Sequence, residues 1–189
     1  IVGRKSLLSL KYKVKGLDFL EGTQLLEEEV LKTSKIFKFV VVLNNIRSLN
    51  NVGSFFRTCD ALAIEKIILT GITASPPHKE IRKTALGATD SVEWVYAESC
   101  SKVVAQHKQS GYKAYAIEQT SNSISLNHLT YKTEPVLLIF GNEVDGVEQE
   151  VINLCDQSIE IPQFGTKHSF NVSVSAGIVL WHFTHQIIK

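Results

Sequence analysis

Three stretches of the chain set polar side chains directly behind short apolar runs, the arrangement that brings chemistry to the end of a buried strand. The first runs from Asn44 to Ala61. Asn50 or Asn51 can cap a helix there, and the free backbone N–H groups of that first turn point at an anion. Arg57 follows about two turns later, flanked by Phe55, Phe56, Ala61 and Leu62. A guanidinium in that company needs a partner, either a phosphate or the carboxylate of Asp60 or Glu65. The second stretch is Phe140-Gly141-Asn142-Glu143-Val144-Asp145-Gly146, two glycines around a carboxylate. It permits close backbone approach to a ligand. It is neither a G-x-G-x-x-G fingerprint nor a phosphate-binding loop, and it equally fits a plain strand-to-helix turn with Glu143 exposed. The third runs from Ile159 to Gly177, a glycine-containing loop leading into a helix whose first turns are small and polar. Ser169 and Asn171 are natural caps. The loop's unpaired backbone groups could hydrogen-bond an adenine and ribose, while Ser173, Ala176 and Gly177 would let the helix pack closely on a neighbour. A well-capped core helix is the plainer alternative.

These segments need a scaffold, and the surrounding pattern supplies one. From Phe39 onward strand-like and helix-like runs alternate. Phe39–Leu43, Lys66–Thr70, Ser91–Tyr96, Tyr112–Ile117, Pro135–Phe140 and Ser158–Ile161 are expected strands. Helices are expected from about Asn51 to Ala63, Glu80 to Leu86, Glu98 to Gln109 with Gly111 as its stop, Glu148 to Leu154, and Asn171 to Ile187. Residues 118–134 are polar and expected to be loop-rich. The alternation predicts an α/β fold with a mostly parallel sheet covered by helices on both faces, and ligands at the strands' carboxyl ends. Residues 1–38 form a separate basic and helical extension, with a helix near Asp18 to Lys32 that Asp18 can cap; residues 39–189 form the main domain.

The chain has 189 residues, enough to bury a substantial core. Its 20 basic and 19 acidic side chains give a net charge of +1, which argues against a surface uniformly coated for polyanions. The basic residues are clustered, however: Lys11, Lys13 and Lys15 before the first acidic residue, then Lys79, Arg82 and Lys83, then Lys167 with His168. No apolar run approaches a membrane span. Three widely spaced cysteines without a C-x-x-C pair suit reduced thiols in a cytoplasm, neither a zinc site nor a disulfide frame, with Cys59 a small buried packing residue.

In this order and spacing the three segments resemble the signature motifs of the SpoU (TrmH-like) family of RNA 2′-O-ribose methyltransferases, part of the SPOUT superfamily. The matching positions are Asn51, Gly53, Arg57, Thr58, Cys59, Asp60 and Ala61; then Phe140, Gly141, Glu143 and Gly146; then Ile161, Pro162, Gly165, Ser169, Phe170, Asn171, Val172, Ser173 and Ser175. The resemblance covers about residues 39–186. One departure is Gln163, where many members carry methionine. The resemblance implies a C-terminal deep trefoil knot, a cytoplasmic homodimer with cofactor pockets beside its interface, and methyl transfer from S-adenosylmethionine to a ribose 2′-hydroxyl, leaving S-adenosylhomocysteine, without a metal. It implies Arg57 as the catalytic residue with Asn51, Glu143, Ser169 and Asn171 around it. Phe140, Gly141, Asn142, Ile161, Pro162, Gln163, Gly165, Ser169, Phe170 and Asn171 would hold the cofactor, largely through backbone. Lys11, Lys13, Lys15, Arg47, Lys79, Arg82, Lys83 and Lys167 would contact RNA, tRNA rather than rRNA. A guanidinium is almost never deprotonated, so Arg57 is expected to hold a phosphate and stabilise oxyanion charge instead of acting as a base. A non-catalytic RNA-binding or assembly protein of the same fold, and a base methyltransferase, are the alternatives.

Overall fold

The computed structural model describes residues 38–132, 134–166 and 169–188. The expected helix near Asp18 to Lys32, Lys11, Lys13 and Lys15, and Lys167 with His168 lie outside the described residues.

Seven parallel strands form one sheet: β1 (Phe39–Asn44), β2 (Lys66–Thr70), β3 (Glu93–Ala97), β4 (Lys113–Ile117), β5 (Ile124–Ser125), β6 (Val136–Phe140) and β7 (Gln157–Glu160). Among the described residues five α-helices accompany them: α1 (Leu49–Ala61), α2 (Lys79–Ala85), α3 (Cys100–Gln109), α4 (Gln149–Leu154) and α5 (Val172–Ile188). The strand order is β3-β2-β1-β6-β4-β7-β5, so β6 is inserted between β1 and β4, which precede it in the chain.

β1 and β6 are buried along their whole length, as expected of apolar runs at the centre of a sheet covered on both faces. Strand periodicity sorts their side chains. Phe39, Val41, Leu43, Val136, Leu138 and Phe140 face a core shared with α1, α2 and α5. Val40, Val42, Leu137 and Ile139 face a second core shared with α3 and α4. Helices therefore cover both faces, as the sequence predicts. Phe39 meets Phe183 of α5 edge-on at 5.8 Å, and Phe55 of α1 meets Phe140 at 5.1 Å. Each such buried aromatic contributes roughly 1.5–3 kcal/mol of transfer free energy. Gly53 lets α1 and α2 touch: a Cβ there would lie 1.9 Å from Thr84 Oγ1 and 2.5 Å from the Ile81 carbonyl.

Some sequence expectations change. The cap of α1 is Ser48, whose hydroxyl accepts from Asn51 N, and not Asn50 or Asn51. Residues 118–134 are loop-rich as expected, apart from the short strand β5 and a 3-10 turn at Leu126–His128, which pairing with β7 and burial of Leu126 stabilise. Gly177 is not needed for close packing among the described residues, because a Cβ there would meet none of them within 4 Å. Among the described residues no helix is long and apolar enough to cross a membrane.

Candidate active site

β4, β6 and β7 end on one side of the sheet, and the loops leaving them surround a cavity of about 440 Å³ with the start of α5. Small-ligand sites span about 300–1,000 Å³.

The loop after β6 is the most tightly built wall. Asn142 and Gly146 exchange two backbone hydrogen bonds of 3.1 Å, and Asn142 Oδ1 accepts from Val144 N and Asp145 N at 2.8 Å each. Gly141 is sterically required: a Cβ would lie 2.0 Å from the Gly146 carbonyl carbon and 2.2 Å from Val147 N. Gly146 adopts a φ of +71°, which favours glycine.

This loop sends Glu143 to the start of α1. Its carboxylate accepts from Asn51 Nδ2 at 2.7 Å, from Arg47 N at 3.3 Å and from Ser48 N at 3.4 Å. The anion expected at that helix start is thus the chain's own carboxylate, which the helix dipole favours, and not a bound phosphate. Burial pushes the Glu143 carboxyl up. The hydrogen bonds from Asn51, its own backbone, Arg47 and Ser48 outweigh this and hold it below its ordinary value of 4.5.

Asn51 is buried, and both the nitrogen and the oxygen of its side-chain amide are engaged. It donates to Glu143, and its Oδ1 accepts from Asn171 Nδ2 at 3.2 Å. Asn171 in turn caps α5, its Oδ1 accepting from Ser173 N at 2.9 Å and Ser173 Oγ at 2.7 Å. Glu143, Asn51 and Asn171 therefore join the three sequence motifs in one hydrogen-bonded chain at the cavity's edge.

Arg57 stands apart. Consecutive helical residues point in different directions, so Phe55 and Phe56 turn into the core while Arg57 is exposed. It forms no hydrogen bond or ion pair with any other described residue, and it is not in the cavity wall. The expected pairing with Asp60 or Glu65 is absent among the described residues; Asp60 accepts from Ser91 Oγ at 2.6 Å. Of the other expected residues, Phe140, Gly141, Asn142, Ile161, Gln163, Ser169 and Phe170 line the cavity; Pro162 and Gly165 do not. Arg47 pairs with Asp145 at 3.0 Å, both exposed. Lys79, Arg82 and Lys83 are exposed on α2, with Lys83 4.0 Å from Glu80.

Glu118 and Glu160, which line the cavity at the ends of β4 and β7, are not among the site residues expected from the sequence. Their position at strand carboxyl ends was the available signal. Cys59 is fully buried; burial first and Asp60 second push its thiol well above its ordinary value, and burial takes Cys100 up to about 12. Both are packing residues.

Known proteins bear on this geometry. A tRNA (guanosine(18)-2′-O)-methyltransferase from Aquifex aeolicus is 30% identical over 153 residues, covering 78% of this chain and 69% of that protein. A 23S rRNA (guanosine-2′-O-)-methyltransferase from Neisseria meningitidis is 29% identical, and the chain spans only 60% of its length. An AdoMet-bound rRNA methyltransferase from Sinorhizobium meliloti superposes with a TM-score of 0.74 at 26% identity, covering 82% of this chain and 60% of that one. The SpoU rRNA Methylase family model matches residues 38–181, taking in all three motifs and every strand of the sheet, and the chain belongs to that family.

Proposed function

We propose that this chain transfers the methyl group of S-adenosylmethionine to a ribose 2′-hydroxyl of structured RNA in the cytoplasm, tRNA rather than rRNA. The observation that carries the reading is the hydrogen-bonded chain from Glu143 through Asn51 to Asn171, set beside a cavity that suits the cofactor. The cavity combines the apolar side chains of Ile117, Phe140, Ile159 and Ile161 with the carboxylates of Glu118 and Glu160. That mixture fits a flat base joined to a ribose and a cationic tail, and Gly141 allows backbone approach. The bound cofactor supplies an electrophilic methyl on a sulfonium.

The chain's own groups do the positioning. Glu143 is ionised at neutral pH and orients the Asn51 amide, which in turn fixes Asn171 at the cavity wall. Ser169, Phe170 and Gln163 border the same opening, where the target ribose would enter. Reacting atoms must be aligned to within about 3–3.5 Å, and a pre-formed wall supplies most of that order. Arg57 keeps its charge, holds the phosphate beside the target ribose and stabilises negative charge developing on the 2′-oxygen, whose proton leaves to phosphate or water.

Arg57 lies outside its own chain's cavity wall, so this role calls for a second copy. The homodimer is supported by α5, which packs on α1 and leaves Val174 50% and Trp181 55% exposed. A trefoil knot is supported by the insertion of β6 between two earlier strands. Lys79, Arg82, Lys83 and Arg47, with Lys11, Lys13, Lys15 and Lys167, would hold phosphates, and RNA affinity is then expected to fall steeply with salt.

The test is incorporation of labelled methyl into tRNA and, separately, rRNA from cells lacking the gene. Label recovered as a 2′-O-methyl nucleoside supports the reading; label on a base, or none despite cofactor binding, overturns it. Arg57→Ala is expected to abolish transfer with S-adenosylhomocysteine binding intact. Mixing it with Gly141→Ala subunits is expected to restore part of the activity, since one site then regains both an arginine and an intact cavity.

A further inference from the structure

We infer that Glu118 is the residue that recognises the ribose of the bound cofactor, through a carboxylate fixed in place by two backbone amides. This rests on the methyl-transfer reading and adds to it a residue outside the three motifs.

Glu118 follows β4 directly, and its backbone N–H donates to the Ile159 carbonyl at 3.1 Å, which ties it to β7. Its Oε2 accepts from Val147 N at 3.1 Å and its Oε1 from Gln119 N at 3.2 Å. Side chain and backbone are thus anchored together, and the residue lines the cavity. The loop after β6 is shaped around it: a Cβ on Gly146 would lie 2.2 Å from Glu118 Oε2.

A carboxylate has about four lone-pair sites. Two are taken by backbone N–H groups, which leaves one on each oxygen. Two fixed acceptors side by side match two neighbouring hydroxyl donors, and the vicinal diol of a ribose is the part of an adenosyl ligand with that pattern. The placement obeys the same logic by which an acidic residue beyond a strand end of a dinucleotide-binding sheet takes ribose hydroxyls. Its two cavity companions are differently engaged: Glu143 is bound to Asn51 and the start of α1, and Glu160 accepts from Ser123 Oγ at 2.9 Å.

Calorimetry with S-adenosylhomocysteine and its 2′,3′-dideoxy analogue tests this on the full chain. The wild type is expected to bind the dideoxy compound roughly 10- to 100-fold more weakly, the worth of hydrogen bonds to a charged group. Glu118→Gln must set an NH2 against Val147 N or Gln119 N, so its affinity for both ligands drops; the ratio between them is expected to shrink to within about threefold. Wild-type protein that fails to discriminate overturns the inference without any variant. So does a Glu118→Gln ratio equal to wild type, which would make Glu118 a brace for the loop or a contact for the amino-acid end. A wild type that binds neither ligand overturns the methyl-transfer reading and this inference with it.

Discussion

The two loops that face each other across the cavity are built in opposite ways. The loop after β6 is closed by bonds within itself and tied outward through Glu143, Asp145 and Val147 to α1, Arg47 and Glu118. In the loop after β7, Gln163, Phe164, Gly165, Thr166, Ser169 and Phe170 are all exposed, with Phe164 95% exposed. The first is a rigid template whose geometry exists before any ligand arrives. The second presents these side chains to solvent. Rigidity on one side and spare surface on the other suit a site that binds a cofactor first and a macromolecule after it.

The largest effect that could break this contrast is expected at Gly141. An added methyl would collide with the backbone of Gly146 and Val147, which no side-chain rotation relieves. Gly141→Ala is expected to lose about 3 kcal/mol of stability or more and to abolish S-adenosylhomocysteine binding. Denaturant unfolding and calorimetry would check this; a variant that binds normally would mean the template is softer than described.

Asn51→Ala comes next. It removes the amide that joins Glu143 to Asn171, and two hydrogen bonds at a buried position are worth about 1–2 kcal/mol together. Cofactor affinity is expected to weaken with it, and Asn51→Asp, which sets a second carboxylate against Glu143, is expected to be worse than alanine. Unfolding of the three proteins at pH 7 would rank them.

These residues also show what a sequence can and cannot reveal. The apolar runs at Phe39–Leu43 and Pro135–Phe140 announce buried strands because nothing else buries such side chains so densely, and β1 and β6 lie there. Asn171 caps α5 as its position suggests, since capping is local. Asn51 misleads for the converse reason. It has the type of a cap, but its partner Glu143 is 92 residues away, and Ser48 takes the local role. Arg57 misleads because helical phase, not sequence neighbours, decides which way a side chain turns. Glu118 sits at the edge of a polar stretch, and only the approach of the loop after β6 gives it a purpose.

A smaller effect concerns pH. Folding holds the Glu143 carboxyl below 4.5, so it stabilises the ionised form. That contribution is complete above the ordinary value and is lost as pH falls through the folded-state value. Asp156 behaves alike: burial pushes its carboxyl up, but the Ala114 backbone and Lys108 outweigh this and lower it. Glu143→Gln is therefore expected to flatten part, not all, of the fall in melting temperature below pH 4.5. The change will be modest, because Glu143 is exposed and water screens it. An unchanged acid limb would mean its hydrogen bonds do not persist in solution.

The smallest effect on stability, and the sharpest on the contrast, is expected at Gly165. Among the described residues a Cβ there would meet nothing within 4 Å, and the backbone is not left-handed, so Gly165→Ala introduces neither collision with them nor strain. Restricting the unfolded chain alone would make it neutral or stabilising by about 0.4–1 kcal/mol. Gly165 is nevertheless one of the positions at which the chain resembles the family motif, although it lies outside the cavity wall. If the loop after β7 moves onto the bound cofactor, the methyl comes into the way only then. Gly165→Ala is therefore expected to melt no lower than wild type yet bind S-adenosylhomocysteine several-fold more weakly, the reverse of a packing defect. Equal binding would show that the loop keeps its open position over the filled site, and that both walls, not one, are set before the ligand arrives.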